Sequence, residues 1–355
     1  MNPALAVVIL QYGNWRDTMA CLQSLVPAVG RGLVRVIVVD NASPDDSLVQ
    51  LHRWMAGAHA AMPQPEHDTV ARHWWPLTGA DGAWSGAPPG DAACELAPWT
   101  LIPSTENRGF AVGMNVGIRL ALRDGHIDAV WLLNNDTVVD GEAVETIRAA
   151  LDGTPASTGQ FGTTVCYHDR PAIIQSVGWC RWNAWLATAH RLHDGASVTQ
   201  PLLREARHPG YVYGASWILR VSALREVGLL SEEGFLYGEE LDWSCRASRH
   251  WETALIAAAI VWHHEGATTG ARVEPAAGRS ELADLCGISA RLRLTRRFFP
   301  RRLPAVYFSL FGAALNRLRR GDVRRAASVA RLVLRGGMPA PRPADTGVPH
   351  LPTTP

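Results

Sequence analysis

The chain has 355 residues, and its 47% hydrophobic and 19% charged content is that of a folded protein, which excludes a disordered polar chain. All 34 basic residues are arginines, and 13 of them lie between Arg291 and Arg335, where Asp322 is the only acidic residue. The length predicts two domains, or one large domain with appendages.

The cysteines and the N-terminus bear on the cellular compartment. Six cysteines are scattered without a C-x-x-C pair, which disfavours a disulfide framework or a zinc site and predicts reduced thiols in a cytosolic protein. The first residues lack a basic start and a cleavage signature, so no signal peptide is predicted. The longest apolar run near the C-terminus, Leu303–Leu315, is too short to span a bilayer.

The first part of the chain has the alternation of a parallel α/β sheet. Leu5–Leu10 and Val34–Val39 predict two strands, and the spacing of apolar residues in Trp15–Leu25 predicts a helix between them. Ser43 is predicted to cap a second helix, with Pro44 at its first position. Strands and helices joined by short loops predict parallel pairing of the strands.

An insertion and a glycine-rich helix follow. Residues 57–98 are rich in Gly, Pro, Ala and Trp and predict an irregular insertion. Trp99–Ile102 predicts a third strand, and the next helix carries Gly109, Gly113 and Gly117. Spacing by four places these glycines on one helix face and predicts close approach to a strand. It is not the G-x-G-x-x-G of dinucleotide-binding proteins.

A fourth strand, Val130–Leu133, is hydrophobic on both faces and ends in Asn134, Asn135 and Asp136. Ligands of open α/β sheets bind at the carboxyl ends of strands. Asp136 and Asp40, which ends the second strand, are therefore either ligand-binding carboxylates or helix caps.

The second half predicts further strands and a tryptophan stripe. The strands are predicted at Gln160–Tyr167, Ile173–Val177, Tyr213–Leu219 and Leu255–Trp262. Trp179, Trp182 and Trp185 recur every three residues. Such a stripe is either core packing or a platform for sugar rings, because indole faces pack against the apolar faces of sugars.

An acidic cluster, Glu239-Glu240-Leu241-Asp242, begins a predicted helix, and His263 ends the last strand. Asp136 and a histidine are suitable ligands for Mg²⁺ or Mn²⁺, which stabilises a diphosphate leaving group. Adjacent carboxylates raise each other's pKa, which suits one of them to act as a base. Each residue also has a structural explanation, as a solvated helix N-terminus or a packed histidine. Their joint position after strands favours a catalytic site.

Beyond residue 280 the chain becomes basic and helical. Leu282–Phe299, Ala305–Leu318 and Ala326–Leu334 predict three helices. The predicted boundaries are 1–275 for the α/β domain, 276–337 for the basic helical segment and 338–355 for a Pro-rich disordered tail. A basic segment on an acidic body predicts an anionic partner such as a membrane surface or nucleic acid.

Seven segments, in order, resemble those of inverting family 2 glycosyltransferases with the GT-A fold, in the bacterial rhamnosyltransferase-like and galactofuranosyltransferase-like branch. These segments are Val7–Tyr12, Val38–Ser43, Asn107–Gly117, Leu133–Thr137, Tyr213–Ser216, Phe235–Asp242 and Trp262–Gly266. The resemblance covers roughly residues 5–270. It implies an α/β fold with a mostly parallel central sheet flanked by helices.

The resemblance also implies roles for individual residues. The implied donor-binding residues are Tyr12, Asp40, Asn107, Arg108, Gly109, Asn115, Asn134 and Asn135. The implied ligands of Mg²⁺ or Mn²⁺ are Asp136 and His263, with His264 as the alternative. The implied catalytic group is Glu240 as base, with Glu239 beside it and with Asp242 and Arg246 bracing the helix. The chain departs from the family in having Asn134 in place of the first D-x-D carboxylate, Glu in place of Asp as the base, and Leu10–Gly13 in place of Asn-Tyr-Asn.

The predicted function is inverting transfer of a sugar to a glycan or lipid-linked glycan in cell-surface polysaccharide synthesis. The preferred donor is dTDP-rhamnose, with UDP-galactofuranose or another UDP-sugar as the alternative. A nucleotidyltransferase is disfavoured because the chain lacks lysine and a Gly-rich, basic N-terminal phosphate loop. A catalytically inactive glycan-binding relative stays open. The predicted location is cytoplasmic, with no nucleic acid partner. The basic helices of Arg291–Arg335 are predicted either to contact the anionic inner face of the cell membrane or to pack onto the catalytic domain or in a dimer.

Overall fold

The computed structural model of the chain describes residues 4–60, 95–200, 206, 208–264 and 280–338. Most of the predicted insertion at 57–98, and the Pro-rich tail beyond Met338, lie outside the described residues. The strands are β1 (Ala4–Gln11), β2 (Val34–Asp40), β3 (Trp99–Pro103), β4 (Ile127–Asn134), β5 (Thr137–Val139), β6 (Thr158–Tyr167), β7 (Ile174–Ser176), β8 (Trp179–Asn183), β9 (Thr188–Arg191), β10 (Gly210–Val212), β11 (Ser216–Arg220) and β12 (Glu252–His263).

Nine of these strands form the central sheet, in the order β3-β2-β1-β4-β11-β6-β12-β5, with β7 paired to β6. Strands β3, β2, β1 and β4 are mutually parallel, as are β6 and β12, whereas β11 runs antiparallel between β4 and β6. The parallel strands are apolar on both faces because helices cover both sides. The predicted, mostly parallel sheet is confirmed.

The helices are α1 (Trp15–Gly30), α2 (Ser47–Ala60), α3 (Phe110–Ala121), α4 (Ala143–Gly153), α5 (Val221–Val227), α6 (Glu239–Ala247), α7 (Glu281–Phe298), α8 (Leu303–Arg319) and α9 (Val323–Arg335), with a 3-10 turn at Pro300–Arg302. Apolar residues of α1, α2 and α4 join one core cluster with the sheet. Those of α3, α5 and α6 join a second cluster on the opposite face. The sheet is therefore a middle layer between two layers of helices.

The start of α2 differs from its prediction. The helix begins at Ser47, and the carboxylate of Asp45 accepts a hydrogen bond from the Ser47 N–H at 3.1 Å. Ser43, the predicted cap, instead donates its hydroxyl to Asp40 at 2.6 Å. The Ser43 hydroxyl bonds the nearby Asp40 carboxylate and does not cap α2, because serine hydroxyls form hydrogen bonds in local turns as readily as at helix ends.

The glycine face of α3 packs against the sheet as predicted. A Cβ on Gly113 would overlap the Leu10 side chain, and one on Gly117 would overlap Val8. The helix therefore lies closer to β1 than any larger residue at these two positions would allow. This close approach brings the N-terminal end of α3 to the edge of the sheet where β1 and β2 end.

Strands β8, β9 and β10 form a separate small antiparallel sheet. Trp179 and Trp182 of β8 are buried in core clusters, so the packing explanation holds for them. Trp185, at the turn of the β8–β9 hairpin, is exposed instead.

The basic C-terminal helices pack onto α6 through a third cluster, here called the C-terminal core. It joins Leu241 of α6 to residues of three helices, among them Ile288, Leu292, Val306, Leu310, Val329 and Val333. Of the helices described, none is long and apolar enough to cross a membrane.

Candidate functional site

The predicted polar residues meet at one edge of the sheet. Strand β1 lies between β2 and β4, so Asp40 and Asn134, which end β2 and β4, lie at the same edge. His263 ends β12 and pairs with Thr137, the residue after Asp136. Parallel strands ending together are the usual place for a ligand site in such folds.

Asp136 and His263 form the centre of the site. Both are buried, and the Asp136 Oδ1 lies 3.1 Å from the His263 Nε2. The His263 Nδ1 lies 2.8 Å from the Oε1 of Gln175 on β7 and donates its proton there. The Asn134 amide lies 3.3 Å from the same Nε2. Gln175 thereby fixes the tautomer that turns the Nε2 lone pair towards Asp136.

This pair fits a divalent ion. A carboxylate oxygen and an imidazole lone pair at 3.1 Å repel each other unless a proton or a cation lies between them. Two ligands at right angles on one ion, each at about 2.1 Å, are about 3.0 Å apart. No group of three or more His, Cys, Asp or Glu residues suited to a metal occurs in the described part of the chain. Among the described residues, the protein would therefore supply Asp136 and His263 as ligands, and a bound molecule or water the remainder.

His264, the alternative ligand, is placed differently. Its backbone N–H donates to the Asp136 carbonyl at 2.9 Å, and its ring packs on the His168 ring with 3.3 Å between centroids. The ring nitrogen directed at the Asp136 carboxylate belongs to His263. His264 stays an alternative prediction, and the ring geometry favours His263 as the ligand.

Glu240 faces the segment that precedes β11. Its carboxylate occupies the space that a Cβ on Gly214 would fill. The next residue, Ala215, accepts a hydrogen bond from the Asn134 N–H at 3.1 Å, and the Tyr213 ring lies 6.2 Å from the His263 ring. Glu240 therefore stands across this short segment from the metal-ligand pair. Burial raises the pKa of its carboxyl group, which is the direction that suits a base working near neutral pH.

Glu239 differs from its neighbour in environment. It is buried, and burial together with the charge of Glu240 raises its pKa well above the usual value. Arg293 of α7 opposes this shift, and the same arginine donates to the Tyr237 carbonyl at 3.0 Å. Burial and the charge of Glu240 therefore make Glu239 the carboxyl group with the more strongly raised pKa of the two.

Asp242 braces α6, which agrees with the bracing role implied for it and not with a catalytic one. Arg246 donates to its Oδ1 at 2.7 Å, and Arg297 of α7 lies 3.0 Å from its Oδ2. Arg246 also donates to the carbonyls of Val227 and Leu229. With both oxygens engaged and the side chain buried, Asp242 ties α6 to α7 and to the preceding loop.

On the donor side, Asp40 and Asn107 organise two loops. The Asp40 carboxylate is buried and accepts from the Ser43 N–H and hydroxyl, and burial raises its pKa. The Asn107 Oδ1 accepts from the Asn41 amide at 2.9 Å and from the Gly109 N–H at 3.0 Å. These contacts join the end of β2 to the start of α3.

Gly109 joins the start of α3 to Phe235, in the loop that precedes α6. Its φ is +100°, and a Cβ there would overlap the Phe235 carbonyl, which accepts the Phe110 N–H at 2.9 Å. Arg108 beside it is partly exposed and lies 3.4 Å from Glu106. Tyr12 follows β1 at the same edge and is also partly exposed. Arg108 and Tyr12 are thus accessible to a ligand at this edge.

Two predicted donor-binding residues are buried and hydrogen-bonded within the protein, and their role in donor binding stays a prediction. The first, Asn135, donates its amide to the Gln11 Oε1 at 3.1 Å and to the Thr18 hydroxyl at 3.0 Å. Thr18 in turn donates to Gln11, whose amide donates to the Gly13 carbonyl. Asn135 therefore holds the end of β4 to β1 and α1 and turns away from the site.

The second, Asn115, is fully buried on α3. Its amide donates to the Leu230 carbonyl at 2.9 Å and to Glu232 at 2.8 Å, and its Oδ1 accepts the Leu230 N–H at 3.1 Å. It satisfies the backbone of the loop before α6 and positions that loop.

Asn115→Ala is expected to lower the free energy of unfolding by about 2–4 kcal/mol, because the Leu230 N–H and carbonyl would stay buried without partners. Chemical denaturation monitored by tryptophan fluorescence measures this. Arg119→Gln is the matched control, since it removes an exposed contact to the same Glu232 and is expected to cost at most about 1 kcal/mol. Equal effects of the two substitutions would contradict the role given to Asn115.

Comparison with solved structures identifies the fold. The structure of GalNAc-T7 with UDP, GalNAc and Mn²⁺ matches with a TM-score of 0.52 at 12% identity, over 88% of this chain and 51% of that chain. The chain thus spans about half of GalNAc-T7, and the fold is GT-A. No protein-family model matches the chain, and no curated protein matches it in sequence.

Two further structures match with lower scores. The mannosyltransferase PcManGT from Pyrobaculum calidifontis, in complex with GDP-Man and Mn²⁺, matches with a TM-score of 0.45 at 14% identity, over 93% of this chain and 79% of that chain. TarS 1-349 from S. aureus matches with a TM-score of 0.44 at 11% identity, over 94% of this chain and 92% of that chain.

The contacts of several site residues have no signal in the sequence. Gln175 lies in a three-residue strand, Arg297 in a helix rich in arginine, and Gly214 in a segment whose family resemblance does not indicate its contact with Glu240. Each acts through a contact more than 25 residues distant in the chain. Only the partners that these residues serve, namely His263, Glu240 and Asp242, stood out by their position after a strand or at the start of a helix.

Proposed function

We propose that the protein is a glycosyltransferase that uses a nucleoside-diphosphate sugar. The observation that carries the proposal is the buried pair of Asp136 and His263 at 3.1 Å, with the half-buried Glu240 across the segment at Gly214. A site for a divalent ion and diphosphate beside a base of raised pKa suits glycosyl transfer. The GT-A fold supports the same conclusion.

The mechanism that we propose is a single displacement with inversion. Glu240 accepts the proton of an acceptor hydroxyl, whose oxygen attacks the anomeric carbon from the face opposite the diphosphate. The bond from that carbon to the diphosphate breaks, and configuration inverts. Asp136 and His263 would hold Mg²⁺ or Mn²⁺, which stabilises the leaving charge when bound. In this mechanism Glu239 stays protonated, which leaves Glu240 deprotonated and able to accept the proton of the acceptor hydroxyl.

For the donor we propose dTDP-rhamnose, with a UDP-sugar such as UDP-galactofuranose as the alternative, and for the acceptor a glycan or lipid-linked glycan. The support is the order of the segments that resemble family 2 glycosyltransferases. The similar structures hold other donors: PcManGT contains GDP-Man, and TarS has been solved with UDP-GlcNAc.

A thermal-shift panel of dTDP-, UDP- and GDP-sugars with Mn²⁺ tests donor use. A ligand present at 100 times its Kd stabilises the folded state by about 2.7 kcal/mol, so the preferred base and sugar should give the largest rise in Tm. Rises only with dTDP-sugars support the rhamnose proposal, and rises only with UDP-sugars favour the alternative. No shift with any nucleotide sugar would contradict the proposed function, and a shift without transfer would indicate an inactive relative.

Gly214→Ala is expected to lower kcat by about tenfold or more with little change in Tm, because a base displaced by about 1 Å loses much of its rate contribution. The new Cβ would meet the end of the flexible Glu240 side chain, which can move, so the fold is preserved. Initial rates and a melting curve measure the two effects. Gly125→Ala, where a Cβ meets nothing within 4 Å, is the matched control. Unchanged kcat in Gly214→Ala would contradict the position given to the base.

The pH dependence follows from the raised pKa values of Glu239 and Glu240. Transfer needs deprotonated Glu240, so kcat/KM should fall as pH drops, with a midpoint above the ordinary value of 4.5. Folded Glu239 binds its proton more tightly than unfolded Glu239, so its contribution to stability is lost as pH rises from 4.5 through its folded pKa. Glu239→Gln should lessen that loss and leave the kcat/KM midpoint in place. A midpoint at or below 4.5 would contradict this assignment.

A further inference from the structure

Many arginines of the basic C-terminal segment are engaged within the protein. Those that donate to, or pair with, other residues of the chain include Arg291, Arg293, Arg296, Arg297 and Arg317. They join α7 and α8 to the β8–β9 hairpin, to the loop just before α6 and to each other. These five side chains serve internal contacts, so the part of Arg291–Arg335 that can contact a membrane is smaller than predicted.

The outer face of α8 carries an apolar stripe. Phe308, Phe311, Leu315 and Leu318 are exposed by 43% to 84%. Steps of three and four residues place them on one face over about 15 Å of helix. The opposite face of α8 is buried in the C-terminal core. A helix that is apolar on both faces, one packed and one exposed, indicates a second surface to be covered.

The β8–β9 hairpin, which lies beside α8, carries two more exposed apolar side chains. Trp185 and Leu186, at its turn, are exposed by 54% and 47%. The Ser309 hydroxyl of α8 lies 3.3 Å from the Leu186 carbonyl, and the Arg302 guanidinium lies 3.5 Å from the centre of the Trp185 ring. We call Trp185, Leu186, Phe308, Phe311, Leu315 and Leu318 together the apolar face.

Positive charge borders the apolar face at both ends of α8. Arg301 precedes the helix, Arg319 and Arg320 end it, and all three are exposed. Arg324, at the start of α9, has a side chain that is 88% exposed. The sequence contains no acidic residue from position 300 to position 321. Two copies of the chain paired through this face would set arginines against arginines, whereas an anionic surface would pair with them.

We propose that the apolar face binds the interface of an anionic lipid bilayer, with α8 lying in the membrane plane. Phenylalanine, leucine and tryptophan side chains enter the boundary between headgroups and acyl chains, and the flanking arginines contact anionic headgroups. The attraction of each such arginine contributes about fivefold to membrane affinity, since it is worth about 1 kcal/mol near the surface. The proposal is independent of the activity proposed above.

Flotation of the full chain with vesicles tests the proposal. The protein should float with vesicles of phosphatidylcholine and phosphatidylglycerol, sediment with pure phosphatidylcholine, and lose binding at high salt. The double substitution Phe308→Ser with Leu315→Ser should reduce the partition coefficient about tenfold or more. Arg319→Gln with Arg320→Gln should reduce it about tenfold or more. Substitutions are preferable to deletion of α8, which would expose the C-terminal core.

Matched controls show whether binding depends on where the substituted residues lie or only on the loss of an apolar or charged side chain. Val49→Ser removes an exposed apolar residue on α2, and Arg53→Gln with Arg249→Gln removes two exposed charges elsewhere; both should bind as the unsubstituted chain does. Melting curves should show that every variant is folded. Failure of the full chain to float, or undiminished flotation of the α8 variants, would overturn the proposal. A dimer detected by light scattering without lipid would also overturn the proposal if Phe308→Ser with Leu315→Ser dissociated that dimer. The apolar face would then bind a second copy of the chain.

Discussion

Glu240→Gln is expected to reduce kcat for sugar transfer by about 10³-fold, within the range of 10²–10⁴ that general-base catalysis contributes. The amide keeps the shape of the side chain over Gly214 and removes its ability to accept a proton. Because the donor is held at the other side of the site, KM for the donor should change little. Initial rates with saturating donor and acceptor measure the effect.

Glu239→Gln is the control for this prediction. It makes the same chemical change at the adjacent position, in a side chain whose pKa is raised well above its usual value by burial and by the charge of Glu240. Its kcat should stay within about threefold of the unsubstituted enzyme, which is the scatter expected for a neighbouring group that takes no proton in the reaction. If Glu239→Gln were the inactive variant and Glu240→Gln the active one, the two roles would be exchanged. If both stayed active, neither would be the base.

The position of Glu240 depends on parts of the chain far from it in sequence. Asp242 on the same helix is held by Arg297 of α7, and Arg293 of α7 holds the Tyr237 carbonyl just before the helix. Leu241 is buried in the C-terminal core. The basic C-terminal helices therefore support α6, and residues on both sides of the predicted boundary near residue 275 position Glu240.

Much of the fold could be predicted because its parallel strands are buried on both faces. Such strands read as uninterrupted apolar runs, and β1, β2 and β3 begin and end within one residue of their predictions. Asp40, Asp136 and His263 were recognisable because polar residues that end such runs are unusual. Their meeting at one edge follows from parallel pairing.

The remainder depended on contacts that a linear pattern does not contain. The apolar run of β11 does not show that the strand is antiparallel to its neighbours, because a run that is apolar on both faces reads the same in either direction. Asn135 lies in a polar stretch and Asn115 in an apolar helix, yet the amide of each satisfies buried groups of another element. A buried amide must be hydrogen-bonded, and the sequence does not indicate that these two amides bond within the protein.

Asp136→Ala is expected to reduce transfer by at least about 100-fold and to abolish the dependence of donor binding on Mn²⁺ or Mg²⁺, because Asp136 is the carboxylate that would hold the ion. His263→Ala should give a similar loss, and excess EDTA should inactivate the unsubstituted protein. Titration calorimetry of Mn²⁺ into protein with nucleoside diphosphate measures binding without reference to turnover.

Gln175→Leu and His264→Ala distinguish the metal pair from its surroundings. Gln175 orients the His263 ring through Nδ1, so its loss should weaken Mn²⁺ affinity by about 10–100-fold, as is usual for groups that position a ligand. His264, whose ring packs on His168, should have little effect on affinity. Activity that survives EDTA and Asp136→Ala would show that the buried pair holds a proton, and that the protein's own residues must then stabilise the leaving diphosphate. Loss of affinity in His264→Ala with full affinity in His263→Ala would instead exchange the two histidines.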